Sequence, residues 1–363
     1  MKASQLNLEI HAPAAIVPSE LRGIPRDGVK LLVMDPSTKT IRHALVQDLY
    51  KFLRRGDLVV VNDSAMIGAR LSALHDGTPL TVHLAGELGE NSVLIERRQS
   101  TGAPDWTPFP LGSRLKIVDD GGQPVSSGVI VQHFHPRSRL WVVNTETSWY
   151  RIAQQLGRPI RYQYIAQDLP MSSYQTIFGH RPGSVEMPSA SRPFTLEMMS
   201  KLREIGVEFS PITLHTTVSS HEIDSSWEDH PAFPEWFEVS ETTARRVNGA
   251  IRHRHRIIAL GTTVVRALES AYDERLQRIV ATAGWTRRLI TPELPPRVVD
   301  GLITGLHDNF TSHLALLYAF VEPDWLKLVY HGAVQSGYLW HEFGDLCLIA
   351  SGSNKLEEGL TSP

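Results

Sequence analysis

Apolar residues recur with two different spacings along the chain, and residues 256–270 show both. Ile257 to Leu260 are continuously apolar and rich in β-branched side chains, which predicts a short buried strand. A Gly-Thr-Thr sequence follows. Apolar side chains then recur at helical spacing, at Val264, Val265, Leu268 and Ala271. The pattern predicts a strand, a tight turn and a helix in succession.

The same criterion divides the rest of the chain into three regions. Residues 21–63 combine two strand-like runs with a short helical pattern at 49–54. Residues 70–150 contain short apolar runs separated by Gly, Pro, Asp or Ser, as in a small barrel or sandwich. From about residue 155 onward, strands alternate with helices, which is typical of an α/β domain. The main elements expected there are a helix at 196–206, a strand at 208–217 and a helix at 240–252.

We therefore predict an α/β domain made of residues 1–69 and 155–363, with a small all-β domain inserted at 70–154. A chain of 363 residues exceeds the usual size of a single hydrophobic core, which favours two domains. The stretch 218–237 has little periodicity and carries several acidic residues, histidines and prolines. Long loops of this kind are commonly active-site lids, and a surface excursion is the alternative.

Composition narrows the class of protein. A hydrophobic content of 42% with 21% charged residues is ordinary for a globular protein. The longest apolar run, 314–321, is too short to span a bilayer and no signal peptide is evident, so we expect a cytoplasmic protein. Cys347 is the single cysteine, which excludes an internal disulfide and a multi-thiolate metal site. Because no paired Cys/His spacing occurs either, we expect no metal.

The charge gives little global attraction to nucleic acid, since the formal net charge is −3. Any RNA contact would have to be local. Basic clusters that could serve it occur at 54–57, 96–99, 135–139 and 252–256. Such clusters are more often solvated surfaces.

The Gly-Thr-Thr turn is the strongest candidate for ligand binding. A helix start exposes unpaired N–H groups and the positive end of the helix dipole, and Thr262 or Thr263 could cap it while leaving N–H groups for an anion. Arg266 lies one turn further, and its planar fork matches a carboxylate. The alternative is a surface pair between Arg266 and Glu269.

Seven blocks across the chain together resemble the S-adenosylmethionine:tRNA ribosyltransferase-isomerase (QueA) family. They are residues 56–71, 173–195, 206–215, 235–248, 258–270, 298–307 and 344–349. The resemblance implies an α/β fold of the QueA-like type, an α/β domain with an inserted small β-barrel domain. It also implies transfer of the ribosyl part of S-adenosylmethionine to a 7-aminomethyl-7-deazaguanine in tRNA, followed by isomerisation. S-adenosylmethionine is then a substrate, tRNA the partner, and no metal is needed.

The resemblance also implies which residues form the site. Thr262, Thr263 and Arg266 would bind the methionine carboxylate, Tyr174 and Gln175 the nucleoside, and Arg70 and Ser184 are retained members of the cofactor-binding blocks. His215, Glu235 and His307 are the candidates for proton transfer and hydroxyl contacts, without a choice of base among them.

Each of these assignments has a structural alternative. Tyr174 could belong to the core, Glu235 could be a surface charge, and His215 could simply end a strand. After His307, Asp308 or Asn309 could cap the following helix.

The departures from the family pattern concentrate in loops that could position an acceptor. Glu186 and Met187 replace small residues, Arg192 and Pro193 replace Leu and His, and Phe233 replaces a histidine. Two further functions therefore stay open beside the family reaction. One is an S-adenosylmethionine-dependent enzyme of the same fold with a small-molecule acceptor, and in either case we expect a monomer. The other is a degenerate, non-catalytic nucleotide- or RNA-binding homologue.

Overall fold

The computed structural model describes residues 6–99, 101–136, 138–160, 162, 164–165, 167–218 and 233–352. Its strands and helices follow one another in an order that brings the two ends of the chain into one sheet. The strands are β1 (Lys30–Asp35), β2 (Thr40–Leu45), β3 (Leu58–Asn62), β4 (Ser64–Met66), β5 (Arg70–His75), β6 (Thr78–Gly89), β7 (Ser92–Arg98), β8 (Arg114–Val118), β9 (Pro124–His133), β10 (Leu140–Thr145), β11 (Arg181–Ser184), β12 (Glu208–Leu214), β13 (Glu235–Val239), β14 (Ile257–Leu260), β15 (Tyr272–Asp273), β16 (Arg278–Ile279), β17 (Thr282–Thr286), β18 (Gly301–Gly305) and β19 (Leu346–Ala350). The helices are α1 (Trp149–Leu156), α2 (Leu196–Glu204), α3 (Glu241–Arg252), α4 (Thr262–Ser270), α5 (Ser312–Leu317) and α6 (Pro323–Gln335).

The main sheet has nine strands in the order β17-β13-β12-β3-β14-β18-β19-β1-β2. Its centre is parallel, because β3 pairs in parallel with β12 and β14, and β14 with β18. Alternate residues of β3 enter two cores: Val59 and Val61 pack on the side of α2, and Leu58 and Val60 on the side of α3 and α4. A strand covered on both faces reads as a continuous apolar run, which explains why the sequence marks these strands clearly.

The second unit is a closed antiparallel barrel in the order β10-β7-β6-β5-β8-β9. Its strands lie between Arg70 and Thr145, so the barrel alternative is correct and the sandwich is not. Trp149 of α1 is fully buried against it and donates a hydrogen bond to Ser126 (3.1 Å). The α/β class with an inserted barrel is thereby confirmed. The predicted boundaries at 69/70 and 154/155 remain predictions, and α1 runs across the second.

Several expected elements differ from the structure in detail. The short helix expected at 49–54 is a 3₁₀ helix at Val46–Lys51. Of the predicted lid at 218–237, residues 219–232 lie outside the described residues, and Glu235–Val239 is strand β13 of the main sheet. Within the residues described, none of the helices combines the length and apolarity that a membrane crossing requires.

Candidate active site

A cleft of about 180 Å³ opens where β14 and β18 end at the carboxyl edge of the sheet. Ligand sites in α/β sheets commonly lie at this edge. We call it the cleft, and its lining residues are Tyr162, Glu186, Met187, Pro188, Ser189, Ala190, Ser191, Thr216, Glu235, Leu260, Gly261, Thr262, Thr263, Arg266, Thr304, Gly305, Leu306, His307, Asp308, Thr311, His313, His341 and Glu342.

The start of α4 forms one wall of the cleft. Its N-cap is Gly261, at φ 98°, a left-handed conformation that glycine adopts without strain, and no side chain caps the helix. The expectation that Thr262 or Thr263 caps it is therefore wrong. Thr263 instead accepts a long hydrogen bond from Asn62 (3.5 Å). An uncapped helix start keeps its first N–H groups available to an anion in the cleft.

Arg266, which is partly exposed, is held in an ion pair with the buried Glu235. Glu235 Oε1 also accepts the N–H of Thr217 (3.0 Å), and Arg266 Nε donates to the carbonyl of Arg288 (2.9 Å). The alternative pair with Glu269 is wrong, because Glu269 Oε1 accepts two backbone N–H groups, those of residues 297 and 298. Glu235 is equally not a surface charge. A fixed cation and a fixed carboxylate thus lie side by side in the cleft.

Histidines also line the cleft. His307 Nε2 lies 2.8 Å from the hydroxyl of Thr304, and its ring stacks on His313 with centroids 4.9 Å apart. Burial holds the pKa of His307 well below its ordinary value and lowers that of His313 to about 4. Both rings are therefore neutral at pH 7. They offer hydrogen bonds to a ligand without adding charge.

Glu342 is a cleft residue that the sequence reasoning missed. Burial raises the pKa of its carboxyl group to about 7, while a hydrogen bond with Tyr162 acts in the opposite direction. A carboxyl group that is half protonated near pH 7 can give or take a proton. The only sequence signal was its position two residues before the retained 344–349 block.

His215 lies in a second cavity, of about 350 Å³, between the barrel and the sheet. We call this the side pocket. Its lining residues are Glu87, Ser148, Tyr150, Arg151, Gln154, Arg181, Pro182, Gly183, His215, Thr217, Trp236 and Trp285. A third, smaller cavity shares Thr217 with the side pocket, and Glu235 and Arg266 with the cleft. The two cavities are therefore neighbours across the Glu235–Arg266 pair.

A chain of hydroxyl groups fixes the ring of His215. Its Nδ1 lies 2.7 Å from the Ser64 hydroxyl, which lies 2.6 Å from that of Ser184. Ser184 in turn accepts the N–H of Thr216 (3.1 Å). Burial, followed by the charge of Arg181, lowers the pKa of His215 to about 4, so the ring is neutral at pH 7. If Nδ1 donates its proton to the Ser64 hydroxyl, Nε2 carries no proton and can accept one. If the hydroxyl donates to Nδ1 instead, Nε2 already carries the ring proton and cannot accept another.

Asn62 anchors this arrangement. Its side chain donates to the carbonyl of Leu214 (2.8 Å) and accepts the N–H of the same residue (2.9 Å). Because Leu214 precedes His215, the amide fixes the point where the histidine leaves β12.

Four predicted cofactor-binding residues lie outside the cleft lining: Ser184, whose hydroxyl is bonded to that of Ser64, and Arg70, Tyr174 and Gln175. Arg70 makes a two-pronged ion pair with Asp168 (2.9 and 3.1 Å), and Tyr174 is buried in the core against Phe343. The side-chain amide of Gln175 is bonded to both backbone groups of Met66. The structure therefore brings Thr262, Thr263, Arg266, Glu235 and His307 together in the cleft. The side chains of Arg70, Tyr174 and Gln175 are used elsewhere.

The residues that depart from the family pattern do not all lie in the cleft. Glu186 and Met187 line the cleft. Arg192 is buried outside the cleft lining and pairs with Glu20 (2.9 Å). The expectation that Asp308 or Asn309 caps the next helix is wrong, because Thr311 caps α5 and Asn309 binds the N-terminal segment at Leu8.

The fold and the cleft define an α/β protein with an inserted antiparallel barrel and an anion-accepting helix start at the carboxyl edge of its sheet. A family model described as "Queuosine biosynthesis protein" matches residues 11–349. The chain belongs to this family.

Individual relatives agree along nearly their whole length. An S-adenosylmethionine:tRNA ribosyltransferase-isomerase of Thermus thermophilus is 33% identical over 90% of this chain and 93% of the relative. One of Sorangium cellulosum is 32% identical over 94% and 97%. The crystal structure of an S-adenosylmethionine tRNA ribosyltransferase from Thermotoga maritima superposes with a TM-score of 0.51 at 25% identity, covering 94% of this chain and 98% of that one.

Proposed function

We propose that this chain is an enzyme that transfers the ribosyl part of S-adenosylmethionine to the aminomethyl group of a 7-deazaguanine in tRNA and isomerises it, forming epoxyqueuosine. Adenine and methionine leave. The observation that carries the proposal is the uncapped helix start at Gly261 beside the Glu235–Arg266 pair, in a chain of this family.

The methionine end of S-adenosylmethionine fits this part of the cleft by charge. Its carboxylate would accept hydrogen bonds from the N–H groups of Thr262 and Thr263 and from Arg266, and its ammonium would face Glu235. Gln175 would act by supporting the backbone at Met66, since its side-chain amide is bonded there, and Tyr174 would act from the core, where it packs against Phe343.

Two groups are suited to the proton transfers. His215, neutral at pH 7, would accept a proton at Nε2, and Ser184 would act as a positioning residue through Ser64. Glu342 would donate a proton to the departing adenine, because its pKa of about 7 keeps part of it protonated. His307 would hold hydroxyl groups of the ribose through hydrogen bonds.

Contact with tRNA would use a basic groove at the amino edge of the sheet. This groove, of about 950 Å³, brings together parts of the predicted clusters at 54–57 and 252–256. Arg55, Arg203 and Arg246 line it and make no ion pair with any described residue, so their charges would be available to phosphates, although Arg246 also donates a hydrogen bond to the carbonyl of Phe209 (2.8 Å). We also propose that the chain acts as a monomer, since one chain supplies the whole cleft.

The test is incubation of the protein with S-adenosylmethionine and a tRNA carrying 7-aminomethyl-7-deazaguanine. We expect free adenine together with the corresponding mass gain of the tRNA. Absence of both products under conditions where S-adenosylmethionine binds would refute the proposed reaction.

A second candidate, an S-adenosylmethionine-dependent enzyme with a small-molecule acceptor, is favoured by one observation. Glu186 and Met187, which replace small residues of the family pattern, line the cleft and reduce the space beside S-adenosylmethionine. Adenine release that needs no tRNA would support this candidate.

A further inference from the structure

The side pocket has the size and position of a ligand site, and His215 is the one of its lining residues that the proposed reaction uses. Its volume of about 350 Å³ lies in the range of small-molecule sites, roughly 300 to 1,000 Å³. Its walls come from both units of the fold: Glu87 from the barrel, and Trp236 and Trp285 from the sheet. Sites between structural units are common places for ligands.

At one side of the pocket His215 can present only an edge. One face of its ring stacks on Trp236, with centroids 5.3 Å apart. Gly183 also packs closely on the ring, since an added Cβ there would lie 2.5 Å from ring atoms. Because Nδ1 is occupied by Ser64, the Nε2 edge is the part of the ring left to meet a ligand.

An exposed aromatic side chain lines the same pocket. Trp236 and Trp285 are cross-strand partners in β13 and β17. The Trp236 ring is already covered by His215 and by the guanidinium of Arg181, 5.5 Å from its centroid. Trp285 is 47% exposed. An exposed indole beside a pocket provides a stacking surface for a planar ring, as in proteins that bind unpaired nucleobases.

Glu87 is the polar side chain that would form hydrogen bonds with the edge of such a ring. Glu87 follows Gly86 in β6. A Cβ added to Gly86 would lie 3.0 Å from Thr217, so this part of β6 packs closely against the segment between the two cavities. The carboxylate of Glu87 makes no hydrogen bond or ion pair with the described residues, and burial raises its pKa. An ionised carboxylate only accepts hydrogen bonds, so it needs a ligand that donates.

We propose that the side pocket receives a guanine-type nucleobase of the RNA acceptor, stacked on Trp285, with Glu87 accepting hydrogen bonds from its Watson–Crick edge. Guanine and its 7-deaza analogues present two adjacent donors there, the ring N–H and the exocyclic amino group, which match the two oxygens of a carboxylate. Adenine presents one donor beside an acceptor and is selected against. A base held in this way lies beside Nε2 of His215. The identity of the acceptor rests on the proposed function, whereas the preference for a guanine edge rests on the pocket.

The test measures binding rather than turnover. RNA stem-loops with an unpaired guanine or adenine at one loop position are titrated into the wild-type protein, Glu87→Gln and Trp285→Ala, each with saturating S-adenosylmethionine. We expect the wild type to bind the guanine RNA at least tenfold more tightly. Glu87→Gln should remove this preference, and Trp285→Ala should weaken both RNAs about tenfold. Matched controls are Glu90→Gln and Trp106→Ala, exposed residues that do not line the side pocket.

The outcomes separate the inference from the proposed function. Equal affinity of the wild type for the two RNAs, or a guanine preference that survives Glu87→Gln, overturns the inference even if the enzyme modifies tRNA. A guanine preference lost in Glu87→Gln supports the inference even if no adenine is released with tRNA, in which case the proposed reaction alone fails. Unchanged affinity for S-adenosylmethionine in both variants excludes a general loss of structure.

Discussion

Replacing Glu342 by glutamine should change how the stability of the protein depends on pH. The carboxyl group has an ordinary pKa of 4.5, and burial in the cleft raises it to about 7. Below pH 4.5 it is protonated in both the folded and the unfolded state. Between the two values the folded state holds one more proton than the unfolded state, so stability falls as pH rises. Above pH 7 the folded protein carries the full cost of a buried charge.

The size of this effect follows from the difference between the two pKa values. One pKa unit corresponds to about 1.4 kcal/mol, so the shift of Glu342 corresponds to about 3 kcal/mol across the whole range. Most of this, about 2 kcal/mol or more, should be lost between pH 5 and pH 8. Glu342→Gln cannot ionise. The difference in unfolding free energy between the variant and the wild type should therefore grow by this amount over that interval.

The unfolding free energies of the variant and the wild type must be compared at each pH, because other groups titrate as well. Burial also raises the pKa of Asp300 and Asp345, which adds to the same trend. His215 and His313, with pKa values lowered to about 4, act in reverse and lose stability as pH falls below 6.5. These contributions are shared by the variant and cancel in the comparison.

Urea unfolding at pH 5 and pH 8 measures the effect, with the slope m checked for constancy. Glu322→Gln is the control, since this exposed carboxylate pairs with Lys39 on the surface and should shift the comparison by less than about 0.5 kcal/mol. Parallel pH profiles for the wild type and Glu342→Gln would refute the raised pKa. The proposed proton transfer to adenine further requires that an apparent pKa near 7 in the rate profile disappear in this variant.

Three further changes test other parts of the site. Arg266→Gln, made together with Glu235→Gln so that no buried carboxylate is left alone, should weaken S-adenosylmethionine binding roughly 10- to 100-fold in calorimetry, and unchanged affinity would remove both residues from the site. Gly183→Ala places a Cβ 2.5 Å from the ring of His215, so turnover should fall at least tenfold and the histidine pKa, followed by NMR, should rise from about 4. An undisturbed imidazole signal would contradict the close packing. Arg203→Ala should reduce the salt dependence of tRNA affinity by slightly less than one unit of slope, and an unchanged slope would place the phosphates elsewhere.

The elements with one strong periodicity could be predicted from sequence. Ile257–Leu260 is a strand at its predicted bounds, because both faces of the sheet are covered and every position of the strand must be apolar. Strand β5 lies in the region predicted as all-β but gives a weak apolar signal of its own, since only Leu71 and Ala73 of its six residues are buried.

The site was harder to predict because its side chains are committed by distant partners. Glu235 and Arg266 are 31 residues apart, and their pairing depends on β13 lying beside the cleft. Gln175 has the chemistry to bind adenine, yet its amide is used by Met66, 109 residues away. Glu342 gains its unusual pKa only from burial. Residue type and spacing contain none of these facts.

Arg266 is already paired with Glu235, yet it is also proposed to bind the carboxylate of the ligand. The pairing itself indicates which kind of ligand can be bound. A simple anion bound at Arg266 would bring a second negative charge next to Glu235, which is costly in a buried site. The amino-acid end of S-adenosylmethionine carries both signs, so in the proposed complex its ammonium would face Glu235 while its carboxylate would share Arg266 with the start of α4. The ion pair thus favours a zwitterion over an isolated carboxylate. Its two members should for this reason be changed together when S-adenosylmethionine affinity is measured.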